Sequence, residues 1–272
     1  MKNPIGIFDS GVGGLTVFHE IKMALPHKDI VYFGDTARVP YGSKSQRTII
    51  QYSLQNMIFL LQQHIELLVV ACNTSSAYTI EELKKHSNIP IIGVIMPGAK
   101  KALNVSKNKR IGIIGTEGTI KSGSYEKALK SLDAQCKIFT KPTPLLVPLV
   151  EENWISHKVT KEIIEEYLQE FLEQDIDTII MGCTHYPVLK EVIQEVVGDD
   201  ITLVDSAESI AIELKKMYSS KPVQKTAGNY TFFVSDNPEK FKILGRQILG
   251  EVLTRVKKVF FTDAWVMDNF NV

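Results

Sequence analysis

The chain has 272 residues, of which 44% are hydrophobic and 23% charged, and its 31 Lys and Arg side chains balance 31 Asp and Glu. That composition suits a soluble globular protein of one large or two compact domains. The zero net charge argues against nucleic acid or an anionic membrane as partner, since both select for excess positive charge; the short basic clusters Lys107–Lys109–Arg110 and Arg255–Lys257–Lys258 read as solvated strand flanks.

In chain order, Ile5–Phe8, Ile30–Phe33, Leu67–Val70 and Ile91–Ile95 read as strands buried on both faces, because they are apolar at successive rather than alternate positions. Between them, residues 15–25 carry Leu15, Phe18, Ile21 and Leu25 at helical spacing. Residues 45–63 do the same with Ile49, Tyr52, Leu54, Ile58 and Leu61. Pro26 and Pro90 fall at the junctions, where proline interrupts no ladder of hydrogen bonds. Such alternation predicts a mainly parallel sheet covered by helices. The longest apolar runs are far shorter than the ~20 residues of a membrane-crossing helix, and residues 1–10 do not read as a signal peptide. A cytoplasmic location is therefore expected. Three widely spaced cysteines, Cys72, Cys136 and Cys183, fit a reducing compartment and make neither a disulfide framework nor a zinc motif.

The pattern then restarts. Ile111–Gly112–Ile113–Ile114–Gly115–Thr116 repeats the form of Ile5–Gly6–Ile7–Phe8–Asp9–Ser10, and Thr178–Ile179–Ile180–Met181–Gly182–Cys183–Thr184 repeats that of Leu67–Leu68–Val69–Val70–Ala71–Cys72–Asn73–Thr74, at nearly equal offsets. An acidic helix and a further strand follow each cysteine. A junction is expected near Met96–Pro97–Gly98, and the second half ends near Asp205–Ser206. The later strand Tyr230–Val234 and helix Pro238–Leu249 return to the first half. The expectation is an α/β fold of two similar parallel-sheet domains, 1–97 plus 209–272 and 98–208, facing each other across a cleft as a pseudo-twofold repeat. The two crossings between them form a natural hinge.

Ligands of parallel α/β sheets bind at the carboxyl ends of the strands. Cys72 and Cys183 both stand there, followed by the helix-capping types Asn73–Thr74–Ser75 and Thr184–His185. Free N–H groups at such a place hold carboxylates, and the same field favours thiolate over a thiol of pKa ~8.5. The plainer reading of either cysteine is a small buried side chain. Two of them at equivalent places of a repeat favour proton transfer instead. Cys136 has no such setting and reads as structural. A metal held by Cys72, Cys183 and His185 lacks a ligand spacing, so no metal or cofactor is expected. Asp9 and Asp35 end strands, where a turn-forming role is common. Gly11–Val12–Gly13–Gly14 lacks the G-x-G-x-x-G spacing of a dinucleotide loop, and Pro40–Tyr41–Gly42–Ser43 forms a loop rich in donors.

Five motifs in order, Gly6 to Thr16, Tyr32–Phe33–Gly34–Asp35–Thr36, Pro40–Tyr41–Gly42, Ala71–Cys72–Asn73–Thr74 and Gly182–Cys183–Thr184–His185–Tyr186–Pro187, make the chain resemble the glutamate racemases of the aspartate/glutamate racemase family over essentially its whole length. Aspartate racemases typically carry an acidic residue where His185 stands, which favours glutamate. The resemblance implies that Cys72 removes the α-proton of D-glutamate and Cys183 that of L-glutamate. Asp9 assists Cys72, and His185 with Glu151 assists Cys183, the adjacent Glu152 being the alternative carboxylate. Ser10, Tyr41, Gly42, Asn73, Thr74 and Thr184 match substrate-binding positions, with Asp9, His185, Thr116 and Thr119 contributing. It implies L- and D-glutamate as the small-molecule partners, no cofactor, and D-glutamate supply for peptidoglycan. Other enzymes on this plan are an aspartate or hydantoin racemase or a one-thiol decarboxylase; a binding module that closes without chemistry is disfavoured by the paired cysteines. The oligomeric state stays open, a homodimer included, and no residue decides a secondary gyrase-binding role.

Overall fold

The computed structural model describes residues 3–219 and 226–261, so parts of the 1–97 plus 209–272 unit lie outside the described residues. The chain opens with β1 (Ile5–Asp9), α1 (Leu15–Ala24), β2 (Ile30–Gly34), α2 (Gln46–Leu61), β3 (Leu67–Val70), α3 (Asn73–Lys85) and β4 (Ile91–Gly93). These strands pair in parallel in the spatial order β2-β1-β3-β4. A second run follows: α4 (Ile95–Val105), β5 (Arg110–Gly115), α5 (Glu117–Lys121), α6 (Ser124–Leu132), β6 (Lys137–Pro142), α7 (Leu146–Glu151), α8 (Lys158–Leu172), β7 (Thr178–Gly182), a 3-10 turn (Tyr186–Leu189), α9 (Lys190–Val197) and β8 (Thr202–Asp205). Its strands are also parallel, in the order β6-β5-β7-β8. The two orders coincide, so β1 corresponds to β5 and β3 to β7, as the repeated motifs require. Last come α10 (Ser206–Tyr218), β9 (Tyr230–Val234), α11 (Pro238–Leu249) and β10 (Val256–Lys258). β9 and β10 extend the first sheet beside β2 to six strands.

The continuous apolar character of the strands follows from cover on both faces. Every residue of β1 and of β7 is buried. Successive side chains of a strand point to opposite faces, and β1 divides accordingly. Ile5 and Ile7 join a core with Leu15, Phe18 and Ile21 of α1 and Ile210 and Leu214 of α10. Phe8 joins Met57 and Leu60 of α2 and Leu83 of α3 on the other side. Phe18 meets Tyr230 and Phe232 edge-on, with ring centroids 5.4 and 4.9 Å apart, which seats α1 on the strand that returns late in the chain. Helix ends follow sequence signals. The Ser45 hydroxyl accepts from the Thr48 N–H at 3.2 Å to start α2. Asn237 caps α11 ahead of Pro238, and Gly250, at φ 69°, ends it.

One expectation is corrected. The strand read as Ile91–Ile95 stops at Gly93, and Met96, Pro97 and Gly98, near which a junction was expected, lie in the first turn of α4. Proline is tolerated there because the first helical N–H groups have no intrahelical partner to lose. The chain passes from the first sheet at Val94, since Ile95, Ala99, Ala102 and Leu103 pack with Ile111 and Ile113 of β5. It returns at Ser206, because Ala207, Ile210 and Leu214 of α10 pack under the first sheet. Among the described residues no helix is long and apolar enough to cross a membrane.

Candidate active site

Both sheets direct their carboxyl-terminal strand ends at one small, largely enclosed cavity. From the first half it is lined by Ser10, Val39, Pro40, Tyr41, Gly42, Cys72, Asn73 and Thr74, and from the second by Thr116, Val147, Cys183, Thr184 and His185. No lysine or arginine is among them, so a carboxylate here would be received by N–H groups and hydroxyls. A wider cavity of about 360 Å³ shares Val39, Pro40, Gly42, Thr116 and Val147 with it and carries Glu117, Glu151 and Glu152 on its wall.

Cys72 follows β3 and stands at the N-cap of α3, whose first residues Asn73, Thr74 and Ser75 are buried. Its sulfur donates to Ser10 Oγ at 3.7 Å. Burial and then the charge of Asp9 push the thiol up to about 12, against the hydrogen bonds it shares with Ser75 and Ser10. Asp9, at the end of β1, has no exposed surface. It accepts from the Gly11 N–H at 2.9 Å and from the Thr184 hydroxyl at 3.3 Å. Burial raises its carboxyl, and the charge of His185 opposes that rise.

The Cys183 side is built differently. The repeat predicts a helix N-terminus after each cysteine, but β7 is followed by the short 3-10 turn, and α9 starts only at Lys190. The positive group there is a side chain. His185 Nδ1 lies 3.8 Å from Cys183 Sγ, and its Nε2 lies 3.2 Å from Glu151 Oε1 at the end of α7. Burial alone would lower the imidazole, yet its hydrogen bonds to Cys183 and Glu151 and their charges hold it up at about 10. Burial would raise Glu151, but the hydrogen bond and charge of His185, with the charge of Lys240, bring it below the ordinary value. Glu152 faces Lys240 at 3.9 Å instead.

Hydrogen bonds between the halves close the cavity. The Thr16 hydroxyl donates to the Thr184 carbonyl at 2.9 Å. Thr74 Oγ1 lies 2.8 Å from Thr116 Oγ1 and 3.1 Å from Thr119 Oγ1. The Gly118 N–H donates to the Gly42 carbonyl at 2.9 Å, and the Tyr125 hydroxyl to Asn73 Oδ1 at 2.7 Å. Gly13 lies so close to the second half that a Cβ there would sit 2.4 Å from His185 Nδ1.

Of the residues singled out from sequence, Cys72, Cys183, Ser10, Tyr41, Gly42, Asn73, Thr74, Thr116, Thr184 and His185 line the cavity. Asp9, Glu151 and Thr119 stand behind the lining, bonded to members of it. Cys136 is fully buried in the second half's core. The sequence reading named Pro40 within a motif but missed Val39 and Val147, which complete an apolar wall with it. Val147 sits four residues before Glu151 on α7, so helical spacing from a suspected site residue was the available signal.

The family described as Asp/Glu/Hydantoin racemase matches residues 6–214. A glutamate racemase of Geobacter metallireducens is 48% identical over 258 residues, covering 94% of this chain and 96% of that protein. A glutamate racemase isoform from Bacillus anthracis superposes with a TM-score of 0.91 at 39% identity, over 94% of this chain and 97% of that one. The glutamate racemase of Francisella tularensis subsp. tularensis, solved in complex with D-glutamate, does so with a TM-score of 0.88 at 34% identity, over 94% and 97% of the two chains.

Proposed function

The chain belongs to the Asp/Glu/Hydantoin racemase family and is an amino-acid racemase, and we propose that it interconverts L- and D-glutamate by passing protons through Cys72 and Cys183. The observation that carries this reading is that each half contributes one thiol to a single cavity, from equivalent strand ends. Racemisation removes hydrogen from one face of Cα and returns one to the other, which suits two proton carriers better than one that must move. Cys183, with His185 and Glu151, takes the proton from L-glutamate while Cys72, as thiol beside Asp9, delivers one; the reverse reaction exchanges the roles. The carboxylates rest on Ser10, Asn73, Thr74, Thr116, Thr184 and the Tyr41–Gly42 segment, with Thr119 behind Thr74. The carbanion is then stabilised by preorganised donors in a site closed to water. The two halves open and close about the crossings at Val94 and Ser206 to admit substrate. The reaction needs no cofactor and supplies D-glutamate for peptidoglycan in the cytoplasm, a compartment that suits three unpaired cysteines.

The test is isotopic. A delivering thiol exchanges with solvent before substrate binds, so in deuterium oxide D-glutamate formed early from L-glutamate is expected to carry deuterium at Cα, while the unreacted L-glutamate stays protonated. Mass spectrometry of the separated enantiomers at low conversion reads this. Early product that keeps its original hydrogen rules the two-thiol mechanism out, and no turnover of glutamate rules out the substrate.

The pH profile tests the roles on the Cys183 side. His185 is held as imidazolium up to about 10, so activity is expected to fall as pH rises through that value. Glu151 is one of the groups that stabilise the imidazolium. Glu151→Gln removes that stabilisation and so moves the alkaline limb to lower pH. A limb of kcat/KM that stays put in Glu151→Gln contradicts the assignment.

A further inference from the structure

The segment 39–42 supplies four residues to the cavity lining and belongs to no helix or strand. Its position has to come from what its side chains hold. The Tyr41 ring lies against Cys72 and Ile49, but its hydroxyl is engaged behind the lining, where it donates to Asp35 Oδ2 and accepts from Asn56 Nδ2 at 3.1 Å. Asp35 has no exposed surface and follows β2 directly, where its N–H donates to the Asp9 carbonyl at 3.0 Å. Besides Tyr41, its carboxylate accepts from Arg38 Nε at 2.7 Å and from the Ser235 hydroxyl at 2.8 Å. Arg38 also donates to Gln55 and to Asn56 Oδ1 of α2 and stacks over the Tyr52 ring at 4.1 Å. Ser235 in turn receives the Ala37 N–H at 2.8 Å. The carboxylate thus ties together the end of β2, the segment after it, α2 and the turn after β9.

We propose that Asp35 is a positioning residue for substrate: anchored by Arg38 and Ser235, it fixes the Tyr41 hydroxyl and so sets where the Tyr41–Gly42 backbone meets the bound amino acid. A buried ion pair is weak evidence for stability, since apolar residues of the same shape often serve as well. What a carboxylate with three directional donors adds is geometry. Gly42, one residue further on, is also the point at which the first half meets Gly118 of the second, so a displaced Tyr41 loosens that contact between the halves too. The expectation for kinetics rests on the reading of the chain as a glutamate racemase.

The test compares Tyr41→Phe, Asp35→Asn and the double variant with the unaltered chain, using glutamate turnover in both directions and hydrogen exchange at the Gly118 amide. Each single change is expected to raise KM for either enantiomer about tenfold, the equivalent of one hydrogen bond to a charged group, with kcat nearly unchanged, as when binding common to ground and transition states is lost. Because both changes act on one link, the double variant is expected to be no worse than the poorer single, whereas a merely structural role would lower thermal stability and leave KM unchanged. The Gly118 amide is expected to exchange faster in each variant. A KM at the level of the unaltered chain, a loss confined to kcat, effects that add, or unchanged exchange at Gly118 overturns the proposal. Should Asp35→Asn fail to fold, Tyr41→Phe carries the test, since it removes only the hydroxyl. Should the unaltered chain leave glutamate unchanged, the substrate assignment fails, and exchange at Gly118 alone decides the role of Asp35.

Discussion

Replacing Cys183 by serine is expected to slow racemisation in both directions by at least ~10²-fold, the scale of a lost general acid or base, and Cys72→Ser to do the same. Each sulfur is almost fully buried in the cavity wall, so the serine fits, and what is lost is proton affinity in a useful range. A thiol starts from a pKa of ~8.5, whereas a serine hydroxyl is a far weaker acid. At Cys72 burial and Asp9 already oppose ionisation of the sulfur, so a hydroxyl there would hardly ionise at all. Cys136→Ser is the control. That side chain is fully buried in the second half's core, away from the cavity lining. A buried hydroxyl costs about 1–3 kcal/mol of stability, while turnover per folded molecule should persist. Steady-state rates beside thermal unfolding curves separate the two effects. A chain that needs Cys136 and works without Cys183 would contradict the arrangement.

Gly13→Ala is expected to lower kcat/KM by at least ~10²-fold, because misplacement of a catalytic group by about 1 Å can cost that much. The added methyl would lie 2.4 Å from His185 Nδ1 and 2.5 Å from Thr184 Oγ1. His185 cannot simply turn aside, since Glu151 and Cys183 hold its two nitrogens. Either the imidazole leaves its partners or the halves separate, and both disturb the Cys183 side. The same methyl at Gly11 meets nothing nearer than Val39 at 3.5 Å, an ordinary contact, so Gly11→Ala should cost much less. Equal rates for both variants would mean that the glycine loop does not close on His185 during turnover.

The strands that position the site were legible because burial on both faces leaves them apolar at successive positions, and the repeat then marked Cys72 and Cys183 as equivalent. Edges and junctions were harder. β6 is an edge strand carrying Lys137 and Lys141 and is nowhere buried, so it shows no apolar run. Pro97–Gly98 has the composition of a linker, and only the packing of Ala99 and Ala102 against β5 makes it the start of a helix. Helical spacing alone does not rank adjacent residues, so Glu151 was preferred to Glu152 on motif context, and α7 sets Glu151 beside His185. Asp35 read as an ordinary turn aspartate, because its partners Arg38, Tyr41 and Ser235 converge only in three dimensions. The repeat also misled in one respect. It predicted matched helix ends at both thiols, whereas the second carries a 3-10 turn and an imidazolium.

The unlike partners of the two thiols have a consequence for the kinetic constants themselves. Enantiomers have equal free energy in water, so their equilibrium constant is unity, and the Haldane relation forces kcat/KM to be the same in the two directions. A carboxylate behind one sulfur and an imidazolium beside the other cannot favour either direction at low substrate. They can differ only in how tightly each enantiomer is held before it reacts, so that the enantiomer with the larger kcat must have the larger KM in the same proportion. At saturation the two directions can then run at different speeds, although the mixture they approach is always racemic.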